Sequence, residues 1–191
     1  MIADIDTTLL DRCARKDKKA QFELYKQCYS FLFGIGLRYK NNKEDADALV
    51  NLCFLKVLAH IDKYKREVNF KLWIRRIMIN TVIDEFRREK LTKEKTDIVD
   101  FSDEVNKFDE SVVNDFAKHA DAEYLHQLIA SLPPMSQKVF NLYAIDGYSH
   151  KEIGDMLTMS EGTSKWHLNF ARTRLKELLE KAAKKEQKLA I

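Results

Sequence analysis

GYSHKEIGDMLTMSEGTSKWHLNFARTRLKELL, residues 147–179, decides how this chain is read. Ser149, His150, Lys151 and Glu152 have the form of a capping box, in which the serine hydroxyl accepts from the third amide and the glutamate reaches back to the first. The helix predicted there turns Ile153, Met156 and Leu157 inward and breaks at Thr158, Met159 and Ser160. Ser160 then caps a second helix running toward Leu179. Two short helices across a tight turn, the second polar and basic, make a helix-turn-helix.

The period of the second helix says which side meets a partner. Ser164, Leu168, Ala171 and Leu175 recur at helical spacing and are expected to pack inward. The opposite side presents Gly162, Trp166, Asn169 and Thr173, flanked by Lys165 and Phe170, with Thr163 and Arg172 nearby. Asn reads adenine through paired hydrogen bonds, Lys reaches guanine acceptors or phosphate, and aromatic rings touch thymine methyls. Large aromatics are usually buried, so a rotated wheel with Trp166 and Phe170 in the core stays open at this point.

Outward from this motif, five glycines, two prolines and a dominant apolar spacing of three or four residues predict an all-α chain without strands. Phe22, Tyr25, Tyr29, Leu32 and Phe33 form one stripe, and Phe70, Trp73, Ile74, Ile77 and Phe86 belong to another. Asp45 to Leu58 is apolar nearly all round, as a helix buried on most sides would be. From about residue 91 to 120 the pattern dissolves among acids. Ser131, Leu132, Pro133 and Pro134 then mark a break before a further helix. The expectation is two small helical domains, residues 1–92 and 123–191, joined by an acidic flexible linker over 93–122, with the helix-turn-helix in the second.

Charge follows the same plan. Lys71 to Lys95 holds eight Lys or Arg against four acids, Asp97 to Glu123 nine acids against two lysines, and Lys165 to Lys188 eight basic residues against three acids. Two anion-binding modules flanking an anionic connector account for that layout. In the first basic segment Lys71, Arg75, Arg76, Arg87 and Arg88 can neutralise phosphates, while Phe70 and Trp73 either fill a core or support unstacked bases. No glycine loop cradles phosphate, no nucleophile elbow is present, and no histidine pair has metal spacing, so an enzyme is not expected. Cys13, Cys28 and Cys53 lack CxxC spacing and read as buried reduced thiols; neither metal nor cofactor is expected. The acidic start does not read as a secretory signal and no segment reads as a bilayer span, which together predict a cytoplasmic protein without membrane insertion.

At this point a resemblance emerges. Leu132 to Leu179 resembles region 4 of bacterial sigma factors, which in that family reads the minus-35 promoter element. Phe70 to Lys90 resembles regions 2.3 and 2.4, with Phe70, Trp73, Ile77, Asn80, Asp84 and Arg87 at the family spacing, and Asp45 to Leu58 is similar to region 2.2. The absence of room for further domains points to the two-domain, extracytoplasmic-function group. The resemblance implies core RNA polymerase and promoter DNA as partners, an anti-sigma factor as a candidate inhibitor, and no cofactor. It assigns minus-35 contacts to Thr163, Lys165, Trp166, Asn169, Phe170 and Arg172, and minus-10 contacts to Lys71, Trp73, Arg76, Asn80 and Arg87. Polymerase docking falls to Asp45, Ala48, Asn51, Leu52 and Leu55. The chain departs from its family there: an acid, a glutamine and a glutamate are usual where it carries Ala48, Asn51 and Leu52. The rival reading is a free-standing helix-turn-helix regulator that never joins polymerase.

Overall fold

Short polar side chains start the helices of the first half of the chain. Asp6 accepts from the Thr8 amide at the head of α1, Thr7–Ala14. Asp17 accepts from Lys19 and Ala20 at the head of α2, Lys18–Tyr39. Asn42 accepts from Asp45 in α3, Lys43–His60. After a 3-10 turn at Ile61–Lys63, Asn69 accepts from Lys71 and Leu72 in α4, Phe70–Lys93. Each cap satisfies an amide that the first turn leaves unpaired, worth about 1 kcal/mol. The computed structural model describes residues 5–40, 42–93 and 122–189, the side chains of 90–93, 122–123 and 183–189 excepted. The acidic connector expected over 93–122 lies, but for its two end residues, outside the described residues. The chain divides into two compact units, Met1–Thr96 and Asp97–Ile191.

In the first unit α2, α3 and α4 pack on one another and α1 lies against α2. The core ridge of α2 is Ala20, Leu24, Cys28, Leu32, Ile35 and Tyr39. It meets Ala46, Leu49, Val50, Cys53 and Val57 of α3 and Ile74, Met78, Ile79, Val82 and Ile83 of α4. Each fully buried aliphatic chain contributes about 1.5–3 kcal/mol. Gly36 keeps the approach close, since a Cβ there would stand 3.2 Å from Met78 Cε and 3.3 Å from the Ala46 carbonyl. Cys28 and Cys53 are buried and reduced, and burial pushes both thiols up to about 12.

Three expectations need correction here. Of the α2 stripe only Leu32 is fully buried; Tyr25, Tyr29 and Phe33 are half-buried beside the core, and Phe22 is 63% exposed. The rings instead pack along the helix, Tyr29 stacked on Phe33 at 5.5 Å, because aliphatic Leu24 and Leu32 fill the narrow space between helices. In α4 the core positions are Phe70, Ile74, Met78 and Val82, so Trp73, Ile77 and Phe86 are only half-buried. Nor is α3 buried on most sides: its outer face, with Ala48, Leu52 and Leu55, is open to solvent.

The second unit contains α5, Ala122–Ala130; α6, Pro134–Phe140; a π-helical turn over Asn141–Ile145; α7, His150–Leu157; and α8, Glu161–Leu189. Pro134 opens α6, where its missing amide costs nothing. Both halves of the capping box form at Ser149 and Glu152. Thr158 turns the chain in the left-handed region, φ 56°, and Ser160 accepts from the Thr163 amide at 2.9 Å, which starts α8. α8 is longer than expected, continuing past Leu179 to Leu189.

Three contacts set how α8 meets α7 and α6. A Cβ on Gly154 would stand 2.8 Å from the Met159 carbonyl, so only glycine admits the turn at this depth. His150 Nδ1 lies 3.0 Å from the fully buried Ser164 hydroxyl, and His167 Nδ1 lies 2.9 Å from that of Ser136 on α6. Burial lowers both imidazole pKa values, helped at His150 by the charge of Lys165.

Gly154→Ala is expected to destabilise the second unit by about 1–3 kcal/mol through overpacking against backbone. Trp166 fluorescence in a Trp73→Phe background reads the melt, and an unshifted midpoint would show that the turn relaxes freely. The histidines predict a pH slope as well. Unfolded imidazoles return to about 6.5 and bind more protons below it than the folded ones. Stability is therefore complete above that pH and falls as pH drops through it toward the lowered folded values. The same melt should shift downward between pH 7 and 5, and less steeply in His167→Gln; a flat profile would contradict the burial of these rings.

Candidate nucleic-acid and partner surfaces

The rotation of α8 follows from what it buries. Ser164, Leu168, Ala171 and Leu175 are 0–2% exposed on one side. Thr163 and Lys165 are exposed and Trp166 and Asn169 half-buried on the rest of the first two turns, with Phe170 38% exposed. Neither ring enters the core, so the rotated wheel does not occur. Trp166 and Phe170 stack on each other at 5.4 Å and 19°, and Trp166 meets His167 edge-on at 4.9 Å. Lys165 Nζ sits 2.9 Å from Glu161, whose carboxyl it holds below its usual range. Arg172 stands apart from this group: its guanidinium lies 5.8 Å over Tyr143, which stacks on His150 at 4.5 Å.

On α4 the structure gathers four of the five named residues. Trp73, Arg76, Asn80 and Arg87 recur at steps of three, four and seven along one side; the last three are exposed and Trp73 half-buried. Lys71 points elsewhere, its ammonium 4.9 Å over the Phe31 ring. Phe70 is 7% exposed and belongs to the core, whereas Trp73 leans on Tyr64 at 5.0 Å and on Phe70 at 5.6 Å. Beside this aromatic group Val68 and Leu72 are 44% and 58% exposed. The sequence reading did not single out Tyr64, Val68 or Leu72: Tyr64 and Val68 lie in the turn before α4, where periodicity carries no signal, and Leu72 sits on the exposed side of the first turn of α4.

The outer face of α3 presents Asp45, Ala48, Asn51, Leu52 and Leu55, all exposed, with Leu55 at 65%. Tyr25 donates to Asn51 Oδ1 at 2.9 Å and packs edge-on against Phe54 at 5.1 Å, while Tyr29 donates to Asp47. This side of the unit thus joins a polar seam from α2 to an apolar strip on α3.

Comparison with known proteins gives matches to both units. The family model for sigma-70 region 2 matches residues 24–92, and that for sigma-70 region 4 matches residues 122–175, together well over half of the chain. The sigma factor SigZ of Bacillus subtilis is 29% identical over 140 residues, 73% of this chain and 76% of SigZ. SigE of Mycolicibacterium smegmatis, an extracytoplasmic-function sigma factor, is 28% identical over 162 residues; the match spans 83% of this chain and 61% of SigE. Among solved structures, the sigma factor RpoE in complex with the anti-sigma factor NepR from Bartonella quintana aligns with a TM-score of 0.48 at 21% identity, covering 86% of this chain and 98% of RpoE. With a region 2 match over the packed helices of the first unit and a region 4 match over the helix-turn-helix of the second, the chain belongs to the sigma-70 family of RNA polymerase sigma factors.

Proposed function

We propose that this chain acts as an extracytoplasmic-function sigma factor in the cytoplasm, docking on core RNA polymerase, reading promoter DNA with both units and opening it without covalent chemistry. The observation that carries this reading is the pairing of two surfaces in the first unit, the cationic, aromatic side of α4 and the apolar face of α3. A free-standing regulator uses a helix-turn-helix but has no need of the second surface. On α4, Arg76 and Arg87 engage phosphates of the minus-10 strand while Trp73 and Asn80 meet an unstacked base, whose capture offsets the few kcal/mol of unpairing. Lys71, turned toward Phe31, is placed to steer by charge rather than by direct contact.

On α8, Thr163, Lys165, Trp166, Asn169 and Phe170 meet the minus-35 element. Arg172 supports that surface through Tyr143 and reaches phosphate only by leaving it. Asp45, Ala48, Asn51, Leu52 and Leu55 form the polymerase contact. An anti-sigma factor competing for this apolar strip is a further partner consistent with its exposure. Co-purification with core polymerase and promoter-dependent transcription by the reconstituted holoenzyme test the whole reading; a chain that binds promoter DNA but never core would return it to the regulator class.

Two substitutions test the residue assignments. Asn169→Ala should cost about 1–3 kcal/mol at one base position and relax preference there, measured across single-base promoter variants. Equal weakening on every variant would remove Asn169 from base reading. Leu52→Glu places an unpartnered acid in an apolar contact and should weaken binding to cognate core while the melting midpoint of the first unit holds. Tighter core binding would mean that the polar docking mode usual in the family operates here as well.

A further inference from the structure

The outer side of α8 carries an aromatic pair where a DNA reader ordinarily needs hydrogen-bonding groups. Trp166 lies almost diametrically opposite the buried line of Ser164, Leu168, Ala171 and Leu175, and Phe170 follows one turn later at 38% exposure. Their planes are within 19° of each other and their centres 5.4 Å apart, so they present one continuous apolar ridge rather than two separate rings. The ridge holds its shape without the core, because each ring supports the other and Trp166 is braced by the edge of His167. Lys165 and Thr163 flank it, exposed, and Asn169 lies beside it.

Resting on the reading of α8 as the minus-35 reader, we propose that Trp166 and Phe170 select two adjacent A·T pairs by contact with the thymine 5-methyl groups in the major groove. The argument is one of chemical complementarity. The major-groove edge of a base pair offers hydrogen-bond donors, acceptors and a single apolar group, the thymine methyl. A ring facing a G·C pair would strip water from polar atoms and return no hydrogen bond, which disfavours that pair. The spacing fits as well: the ring centres stand 5.4 Å apart, farther than one base-pair step of about 3.4 Å and short of two, so the ridge spans two neighbouring pairs. The flanking Lys165 and Thr163 then supply the phosphate and polar contacts that the rings cannot make.

The experiment uses the full chain bound to core polymerase. Promoter duplexes randomised across the upstream element are enriched for binding, and each thymine of the winning element is then replaced by deoxyuridine, which lacks only the methyl. The expected result is an element with two adjacent thymine-bearing pairs, at each of which uracil weakens binding roughly fourfold, the loss that corresponds to one buried methyl. Phe170→Ala and Trp166→Ala should each bind thymine DNA less tightly and lose discrimination against uracil at one of the two positions, while Trp166→Leu keeps part of it. Thermal melts confirm that the variants fold, as expected for rings outside the core. An enriched element without paired thymines, one indifferent to uracil, or variants that weaken thymine and uracil DNA alike would overturn the methyl contact and leave the minus-35 role standing. A holoenzyme that enriches no upstream element would overturn both.

Discussion

The rotation of α8 about its own axis is the constraint on which the second unit depends. It is set by a small polar residue. Ser164 is fully buried, and its hydroxyl is satisfied by His150 at the start of α7. Turning α8 by one residue would strand that hydroxyl and expose Leu168 and Leu175, at a cost of several kcal/mol by ordinary burial and hydrogen-bond magnitudes. The same contact holds His150 against Tyr143, on which Arg172 rests. Gly154 completes the arrangement by letting the Met159 carbonyl approach to a distance that no Cβ would permit. What faces outward on α8 is therefore a consequence of what is locked inward.

The first unit solves a different problem. Its α3 must bury Leu49, Val50, Cys53 and Val57 against two neighbours and still offer an apolar outer face. A helix with apolar residues on both sides has little rotational preference of its own. Polar anchors remove that ambiguity: Tyr25 and Tyr29 reach from α2 to Asn51 and Asp47, and Lys56 pairs with Asp84 on α4 at 2.8 Å. Surface pairs of this sort contribute little to stability, about 0–1 kcal/mol each, but they choose between rotations that burial alone leaves nearly equal. The exposed strip of Ala48, Leu52 and Leu55 is compatible with a folded unit because the rotation is held elsewhere.

Much of the molecule was legible in the sequence. The capping box at Ser149, the break at Thr158 to Ser160, the inward line of Ser164, Leu168, Ala171 and Leu175 and the all-α class all follow from local rules: caps, proline placement and a period near 3.6. Such rules work where one helix has one clearly apolar side. They faltered on α2 and α4, where apolar residues exceed the width of a single face. Periodicity then favoured large aromatics over the aliphatic chains that fill the gap between helices. The all-apolar appearance of α3 misled for the same reason, since composition cannot separate a face that is covered from one that is not.

What the sequence determined by itself is thus the kind of protein: helical, with a helix-turn-helix near one end, cationic on its reading helices and marked by family motifs in order. Only the tertiary structure decided which side chains share a surface. It set Lys71 against Phe31, placed Arg172 over Tyr143, left Trp73 half out of the core, and stacked Trp166 on Phe170 outside it. The physical reason is that capping and helical period act over a few residues and are written in the local sequence. The contacts His150–Ser164, across 14 residues, and Tyr25–Asn51, across 26, form only once helices have packed, and they choose among rotations that local energies do not distinguish.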